Sequence, residues 1–314
     1  MLDDLLRIFL NPEFYAAALR VATPLLLAAM AGLLAERAGI LTFGMEGMML
    51  VGAFFGVLGS SLTQNVWWGF VLAAVAGTVM ALLYAVMVVS IGAEQVVSAV
   101  ALNIFAFGLT SFLFSAIFGV SEVPMQVPRL SEWDIPLLSQ LPIIGPIFFQ
   151  QMPLAYVGLA LLPITQFVLF RTSWGLNIRA VGEHPHAADT LGINVFWVRY
   201  VTILYTGLMA GLGGAFLSIG QLGTFVDGMT AGRGFIAYTA IVFGKWTPIG
   251  TFLGCLLFGT ADALQLRIQA LNLGFIPYQA LIAMPYILTL LILIFVVGRA
   301  SWPAAYGLPF RREE

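Results

Sequence analysis

The chain has 314 residues, of which 61% are hydrophobic and only 9% are charged, and its formal net charge is −2. Because a soluble domain carries about 25% charged residues, secreted, cytosolic and disordered proteins are excluded, and a multi-spanning integral membrane protein remains. The sequence contains no basic block, so nucleic-acid binding has no electrostatic basis. The single cysteine, Cys255, cannot form an internal disulfide.

Long apolar runs predict the fold. A membrane-spanning helix needs about 20 mainly apolar residues, and the chain contains about nine such runs. We therefore predict an all-α integral membrane protein, a polytopic helical bundle that forms a single transmembrane domain over residues 1–314. This domain begins with a short amphipathic segment at 1–12. The predicted spans are 17–35, 39–59, 66–91, 96–120, 152–170, 199–219, 229–244, 248–264 and 278–298. The second, seventh and eighth are short or interrupted by glycine, which makes them candidates for broken or re-entrant helices.

Charge in the loops predicts the orientation. Arginines concentrate around the 171–198 loop and in the C-terminal tail, and Lys and Arg are retained on the cytoplasmic side of a membrane. Both segments are therefore predicted to be cytoplasmic, and nine spans then place the N-terminus outside. The 121–150 loop is rich in proline and is predicted to be an ordered, irregular outer cap. It is either a simple spacer or a platform for a partner that delivers substrate.

Glu46 is the most informative polar residue. A carboxylate at membrane depth costs about 3 kcal/mol or more unless it faces protein or water. The flanking Gly44 and Gly47 permit a helix break or a close backbone approach. Two interpretations stay open: a structural carboxylate bonded to a neighbouring helix, or a residue that lines or gates a polar pathway.

The fourth span carries uncharged polar side chains, namely Gln95, Ser98 and Asn103. Such groups suit a neutral, hydroxylated solute better than an ion, and they also hold helices together. The spacings Gly52-x-x-x-Gly56 and Gly207-x-x-x-Gly211 predict close helix packing.

A weak internal similarity links two runs, 44–56 and 232–244. Three of their thirteen positions agree: Gly44, Phe55 and Gly56 align with Gly232, Phe243 and Gly244. In the predicted topology the two runs cross the membrane in opposite directions, as the halves of an inverted repeat do. An inverted repeat is therefore a possible feature of the fold.

The cytoplasmic loop contains a predicted helix of about six residues. Pro185 fits its first position, Ala187 and Ala188 favour helix, and Gly192 fits just past its end. So short a helix is unstable alone in water, and it should dock onto this chain or onto another protein. A short helix on this face would let the bundle receive force from a soluble motor.

Catalytic motifs are missing from the sequence. There is no phosphate-binding loop, no Ser-His-Asp or G-x-S-x-G arrangement and no H-E-x-x-H motif, and two histidines around one proline make a poor metal site. We therefore expect a transporter subunit that is not an enzyme and has no metal or cofactor, with ATP hydrolysed by a partner if ATP drives it. The main alternative is an ion-coupled secondary transporter or channel for a small neutral solute, coupled through Glu46, Glu94 or Asp262. A membrane-embedded enzyme is a further alternative, for which no convergent catalytic set is visible.

The stretch from Glu36 to Gly56 resembles the signature of bacterial ABC-transporter permeases of the simple-sugar and nucleoside branch. These are ribose-permease-like proteins that work with a binding lipoprotein of the basic-membrane-protein type. Residues 94–103, 229–246 and 258–267 agree with the same family, and 181–193 is similar to its coupling-helix segment. Family members usually have Asn at the position of His184, and because histidine is a poor N-cap, this departure leaves open how the coupling helix begins.

The resemblance implies a permease subunit of an ABC importer in the bacterial cell membrane. An extracellular substrate-binding lipoprotein would deliver a nucleoside or simple sugar, a cytoplasmic ABC ATPase would drive transport, and a second, homologous permease would complete a heterodimer. The resemblance also implies two sets of site residues. Those that contact the ATPase would be Glu183, His184, Pro185, Ala187, Ala188, Asp189 and Gly192. Those near the translocation pathway would be Glu46, Gly47, Gln95 and Asn103.

Overall fold

The computed structural model describes residues 11–119, 126–136, 139–141, 144–270, 287 and 302–312. Its helices are α1 (Pro12–Arg37), α2 (Met45–Thr63), α3 (Val66–Ser90), α4 (Gln95–Phe118), α5 (Pro153–Arg171), α6 (Ser173–Glu183), α7 (Pro185–Thr190), α8 (Val195–Leu222), α9 (Arg233–Phe243) and α10 (Pro248–Ala270). Seven of these described helices, all except α6, α7 and α9, are long and apolar enough to span a membrane, which confirms the predicted polytopic all-α bundle. The ninth predicted span, 278–298, lies outside the described residues except for Ile287, as does nearly all of the predicted segment 1–12.

Polar N-caps decide where several helices begin. Side-chain oxygens of Asn11, Asn65, Glu94 and Asn194 accept hydrogen bonds from backbone N–H groups in the first turn of α1, α3, α4 and α8. Such caps satisfy donors that the helix itself leaves unpaired. The cap at Asn194 explains why α8 begins four residues earlier than the predicted span at 199.

The two long loops lie at opposite ends of the bundle. The described tail (residues 302–312) lies against the 171–198 loop, since Ala305 N–H donates to the Gly182 carbonyl at 2.9 Å. The proline-rich loop is held at the other end, where Val127 N–H donates to the Gly223 carbonyl at 2.9 Å. We call these the inner and outer ends. That the inner end faces the cytoplasm stays a prediction.

The outer loop is irregular, with one short pair of strands in its described part. Strand β1 (Trp133–Asp134) pairs antiparallel with β2 (Gln150–Gln151). Glu132, which precedes β1, forms a 2.6 Å ion pair with Arg20 of α1. The loop is thus attached to the bundle, in line with an ordered cap; its role as a platform for a partner stays a prediction.

Helices α2, α3 and α8 pack backbone to backbone through glycines. A Cβ atom placed on Gly52 of α2 would clash with the carbonyl oxygen of Gly211, and one placed on Gly77 of α3 would clash with that of Gly207. Such approaches are possible only where no side chain intervenes. The glycine spacings in the sequence therefore mark real helix contacts, and we call these three helices the glycine-packed core.

The seventh predicted span is broken, as its glycines suggested. The chain leaves the outer end at Gly223, runs without helix to Gly232, and only then forms the eleven-residue α9. Near the inner end, the Trp246 carbonyl accepts a hydrogen bond from Arg37 at the end of α1. Residues 223–243 thus pass between the two ends with an irregular outer half and a helical inner half, and we call them the broken crossing.

Of the other two candidates for broken helices, the eighth predicted span is a continuous helix, so that prediction is wrong for it, whereas the second contains the non-helical residues 39–44 before α2 begins. Helix α2 has 19 residues and α10 has 23, each without interruption. In α2 the glycines serve close packing against α3 and α8 instead of breaking the helix. The α1–α2 connection (residues 38–44), which the sequence placed largely inside the second span, is not helical.

Candidate functional site

The non-helical α1–α2 connection must have its backbone polar groups satisfied, because lipid offers no hydrogen bonds. The buried side chain of Gln95, at the start of α4, accepts a hydrogen bond from Leu41 N–H through Oε1 at 2.7 Å. The hydroxyl of Tyr84 on α3 donates to the Leu41 carbonyl at 2.7 Å. Gln95, one of the four predicted pathway residues, therefore lies against this connection and holds it in place.

Asn103 of α4 also binds a backbone group of the α1–α2 connection, and it binds the start of α2 as well. Its Oδ1 accepts a hydrogen bond from Gly47 N–H at 2.8 Å, and its Nδ2 donates to the Phe43 carbonyl at 3.0 Å. Gly47 is the third residue of α2, so its N–H is one of the donors that the helix leaves unpaired. A Cβ on Gly47 would lie only 2.9 Å from Asn103 Oδ1. Asn103 thus caps α2 from a different helix, and glycine at 47 makes room for it.

Glu46 caps a helix as well, and that helix is α9 in the broken crossing. Its Oε1 accepts hydrogen bonds from the Thr230 hydroxyl at 2.6 Å and from Gly232 N–H at 2.9 Å. Its Oε2 accepts one from Gly234 N–H at 2.7 Å. The negative charge also suits the positive end of the α9 dipole. The structure therefore shows the carboxylate bonded to a neighbouring helix, the first of the two interpretations, while a role at a pathway stays a prediction.

Two helix starts meet inside the bundle as a result. Gly44 is the N-cap residue of α2 and Gly232 is the N-cap residue of α9, and these are the matched glycines of the two similar runs. Gly232 has φ +83°, a conformation that side chains larger than hydrogen rarely adopt. The inverted repeat itself stays a prediction, but the residues it aligns occupy equivalent places at the starts of two oppositely directed helices.

A second polar cluster lies at the inner end around Glu36, which is fully buried. One oxygen accepts hydrogen bonds from the Thr42 N–H at 2.9 Å and from the Thr42 hydroxyl at 2.7 Å. The other accepts from Trp246 Nε1–H at 2.9 Å and from the Tyr306 hydroxyl. Glu36 therefore joins the α1–α2 connection, the short connection between α9 and α10, and the tail. Sequence reasoning missed this role because Glu36 beside Arg37 resembles an ordinary charged helix end.

The predicted coupling helix is present as α7, Pro185–Thr190, six residues long, and Gly192 follows it with φ +86°. His184 is its N-cap residue and makes no side-chain capping bond, which agrees with histidine being a poor cap. The exposed members of the predicted ATPase-contact set are Glu183, His184, Ala187 and Gly192. Leu191, which sequence reasoning did not select, is 82% exposed beside them.

Two members of the predicted set face inward and hold α7 against the chain. Ala188 is buried, and the Asp189 carboxylate accepts two hydrogen bonds from Arg312 of the tail, at 2.8 Å and 2.7 Å. The Arg312 guanidinium lowers the pKa of Asp189 below its ordinary value. Glu183 also accepts a bond from Ala304 N–H at 3.3 Å. The tail thus braces α7 and leaves its opposite surface free of contacts within the described chain.

The outer end carries a cavity of about 530 Å³ that no sequence motif indicated. Its charged and amide lining comes from α1, the outer loop, α8 and α10, and consists of Glu13, Arg20, Glu132, Gln150, Gln221 and Arg267. These residues lie far apart in the sequence, so only the folded chain brings them together.

Comparison with known proteins agrees with this architecture. The family described as "branched-chain amino acid transport system / permease component" matches residues 14–297. Guanosine ABC transporter permease protein NupQ of Bacillus subtilis is 40% identical over 94% of this chain and 95% of its own length. Nucleoside ABC transporter permease protein NupC of Lactococcus lactis is 36% identical over 92% and 93%. Putative glucose ABC transporter permease protein TsgC13 of Haloferax volcanii is 40% identical over 83% and 79%.

No solved structure matches the chain. The family match nevertheless extends over nearly all of the sequence, and the relatives confirm the resemblance to ABC-transporter permeases of the simple-sugar and nucleoside branch. The chain therefore belongs to the branched-chain amino acid transport system / permease component family, as a multi-pass permease subunit of the bacterial plasma membrane.

Proposed function

We propose that the chain forms one half of the translocation path of an ABC importer for a nucleoside or a simple sugar. The broken crossing carries this proposal, because irregular backbone at membrane depth is stable only when it is buried in protein or lines a watery path. Transporters that use broken helices bind their solutes at such breaks. The names of two relatives specify guanosine and nucleoside transport, and that of a third specifies glucose transport.

In this proposal the four predicted pathway residues hold the segments that line the path and do not contact the solute themselves. Gln95 through its Oε1, Asn103 and Glu46 accept hydrogen bonds from the α1–α2 connection, from α2 and from α9, respectively. Gly47 gives the space that Asn103 needs. These side chains fix where the irregular segments lie, and the irregular segments face the solute.

The coupling function is assigned to α7. A six-residue helix would unfold alone in water, and here the tail and the body of the chain hold it from one side. Its exposed surface, with Ala187 and Leu191, is proposed to receive a cytoplasmic ABC ATPase. That partner hydrolyses the ATP, so the permease itself needs no cofactor.

Two further partners complete the importer. A second, homologous permease supplies the other half of the path as a heterodimer. An extracellular binding lipoprotein delivers the solute at the outer end, where the charged cavity near Arg20 opens. A cavity of this size is ordinary for a small-molecule site.

Reconstitution tests the proposed function. Vesicles with this chain, its partner permease and the ATPase, supplied with loaded binding protein, should take up labelled guanosine only when ATP is present on the ATPase side. Vesicles with this chain alone should take up none. Uptake by the chain alone under an ion gradient would support the ion-coupled alternative and overturn the proposal.

A pair of neighbouring variants tests the coupling surface. Ala187→Trp adds bulk on the exposed side of α7 and should uncouple ATP hydrolysis from uptake in correctly folded protein. Ala188→Trp adds the same bulk on the buried side and should instead displace α7 and lower the yield of folded chain. If Ala187→Trp leaves coupling unchanged, α7 is not the ATPase contact.

A further inference from the structure

Asp227 lies in the irregular half of the broken crossing and is exposed on the surface of the chain. It contacts α4, where the Ser111 hydroxyl donates to Asp227 Oδ1 at 3.2 Å. Ser111 is seven residues before the outer end of the 24-residue helix α4, which at about 1.5 Å per residue places it about 10 Å from that end. Since α4 is about 36 Å long and the hydrocarbon layer is about 30 Å thick, a helix centred in that layer would place Asp227 several ångströms inside it.

An exposed carboxylate at this depth does not face lipid, because hydrocarbon leaves its charge without any hydrogen-bonding partner. Among the described residues, no Lys or Arg forms an ion pair with Asp227. Arg233, the nearest basic residue in the sequence, donates instead to the carbonyls of Met229 and Thr230 at 3.3 and 3.4 Å. The face that carries Asp227 must therefore be covered by water, by a polar molecule or by a polar surface of the partner permease.

An aromatic ring lies beside this carboxylate. Phe107 of α4 is 51% exposed and lies against Gly228, the residue after Asp227. An exposed ring next to a carboxylate forms a surface that is apolar in one place and a strong hydrogen-bond acceptor in another.

A nucleoside has the matching chemistry. Its base is a flat ring that stacks on aromatic side chains. Its ribose has two adjacent hydroxyl groups, which donate to a carboxylate in charge-assisted hydrogen bonds.

We infer that Asp227 binds the ribose hydroxyls of a nucleoside in the translocation path, and that Phe107 contacts its base. Ser111 is a positioning residue that orients the Asp227 carboxylate. The inference rests on the proposed function and deepens it, because it names the contact by which a nucleoside would be recognised.

The test uses the reconstituted complete transporter and two substrates, a ribonucleoside and its 2′,3′-dideoxy analogue, each supplied on saturated binding protein. Asp227→Asn should lower ribonucleoside uptake by about tenfold or more, the loss expected for a hydrogen bond to a charged group, and should change uptake of the dideoxy analogue by less than about twofold.

Phe107→Leu gives a second test if Asp227→Asn fails to fold. It keeps an apolar surface but removes the ring, and it should lower uptake of both substrates to the same extent. Three outcomes overturn the inference alone: ribonucleoside uptake unaffected by Asp227→Asn, equal loss of both substrates in that variant, as expected if Asp227 binds the partner permease, or full activity in Phe107→Leu. Absence of ATP-dependent nucleoside uptake in the wild type overturns the proposed function as well.

Discussion

The glycine-packed core and the broken crossing both satisfy their backbone hydrogen bonds inside a membrane, but they do so in different ways. In the core, α2, α3 and α8 satisfy their own backbone hydrogen bonds as helices, and contacts such as that of Gly52 with Gly211 bring their backbones together. In the broken crossing, the backbone is irregular, and side chains from other helices satisfy it, as Glu46 does for Gly232 and Gly234. Both regions avoid unpaired polar groups in lipid.

The difference indicates which region changes shape during transport. A backbone contact through glycine leaves no free space between the helices, because even a methyl group would clash there. A hydrogen bond from a side chain can be broken and remade with little change in packing. We therefore expect α2, α3 and α8 to move as one rigid unit, while the broken crossing and the α1–α2 connection rearrange between access states.

The largest expected effect comes from filling a glycine contact in the core. A Cβ on Gly214 of α8 would collide with the Met49 carbonyl, and because backbone cannot move aside cheaply, Gly214→Leu should destabilise the protein by more than about 3 kcal/mol. The measurement is the yield of monodisperse protein in detergent. Gly108→Leu on α4 is the control, since nothing lies within 4 Å of a Cβ there. Normal yield of Gly214→Leu would show that the core is not tightly packed.

The second largest effect is expected at Glu46. Glu46→Gln keeps the size of the side chain but removes the charge and turns one end into a donor that faces backbone N–H groups. We expect a loss of about 2–3 kcal/mol in the free energy of unfolding, measured by thermal unfolding, and faster hydrogen exchange at Gly232 and Gly234. Glu13→Gln, whose side chain is 72% exposed, should change stability by less than about 0.5 kcal/mol. Equal stability of both variants would contradict the capping role.

A smaller effect is expected at Asn103, which makes two hydrogen bonds to neutral backbone groups. Asn103→Leu should cost about 1–2 kcal/mol. Asn103 caps α2 at Gly47, and the residue before Gly47 is Glu46, which caps α9. We therefore expect the double variant Asn103→Leu/Glu46→Gln to lose less stability than the sum of the single losses. Strict additivity in this cycle would show that the two caps act separately.

The smallest effect is expected in the tail. The pKa of Asp189 is lowered below its ordinary value of 3.8 by Arg312, so the contact is complete above that value and is lost as pH falls through the lowered pKa. A dye on Leu308→Cys should report an ordered tail from pH 7 to pH 5 and a mobile one only in stronger acid; the native Cys255 is buried. Arg312→Ala should give a mobile tail already at pH 7. A tail that loosens between pH 7 and pH 5 would contradict this assignment.

Much of the fold follows from local patterns in the sequence. Apolar runs of about 20 residues locate the spans, and Pro185 with Gly192 bounds α7. The break in the seventh span was also predictable, because glycines punctuate it. The same signal was misleading in α2, since a glycine that breaks a helix and one that packs against another helix look alike in one sequence.

The candidate site was predictable only in part, since its geometry depends on long-range pairs. The sequence singled out Glu46 and Asn103 as polar residues in apolar segments, but it did not indicate that they cap helices α9 and α2. It missed Asp227 because that residue lies among glycines and resembled part of an outer loop. Asp227 lies a few residues before a short helix whose N-cap residue is a glycine, and this pattern is the signal that would have indicated it.

The capping of α9 by Glu46 also has a consequence for how the protein is made. The three groups that bond to this carboxylate lie 184, 186 and 188 residues further along the chain. At roughly 5–20 residues per second, the ribosome supplies them about 10–40 s after α2 has emerged. Throughout that interval α2 would carry a carboxylate without its ligands, so we expect it to remain beside the aqueous channel of the insertion machinery. We therefore expect this early helix to reach its final position among the last steps of biogenesis.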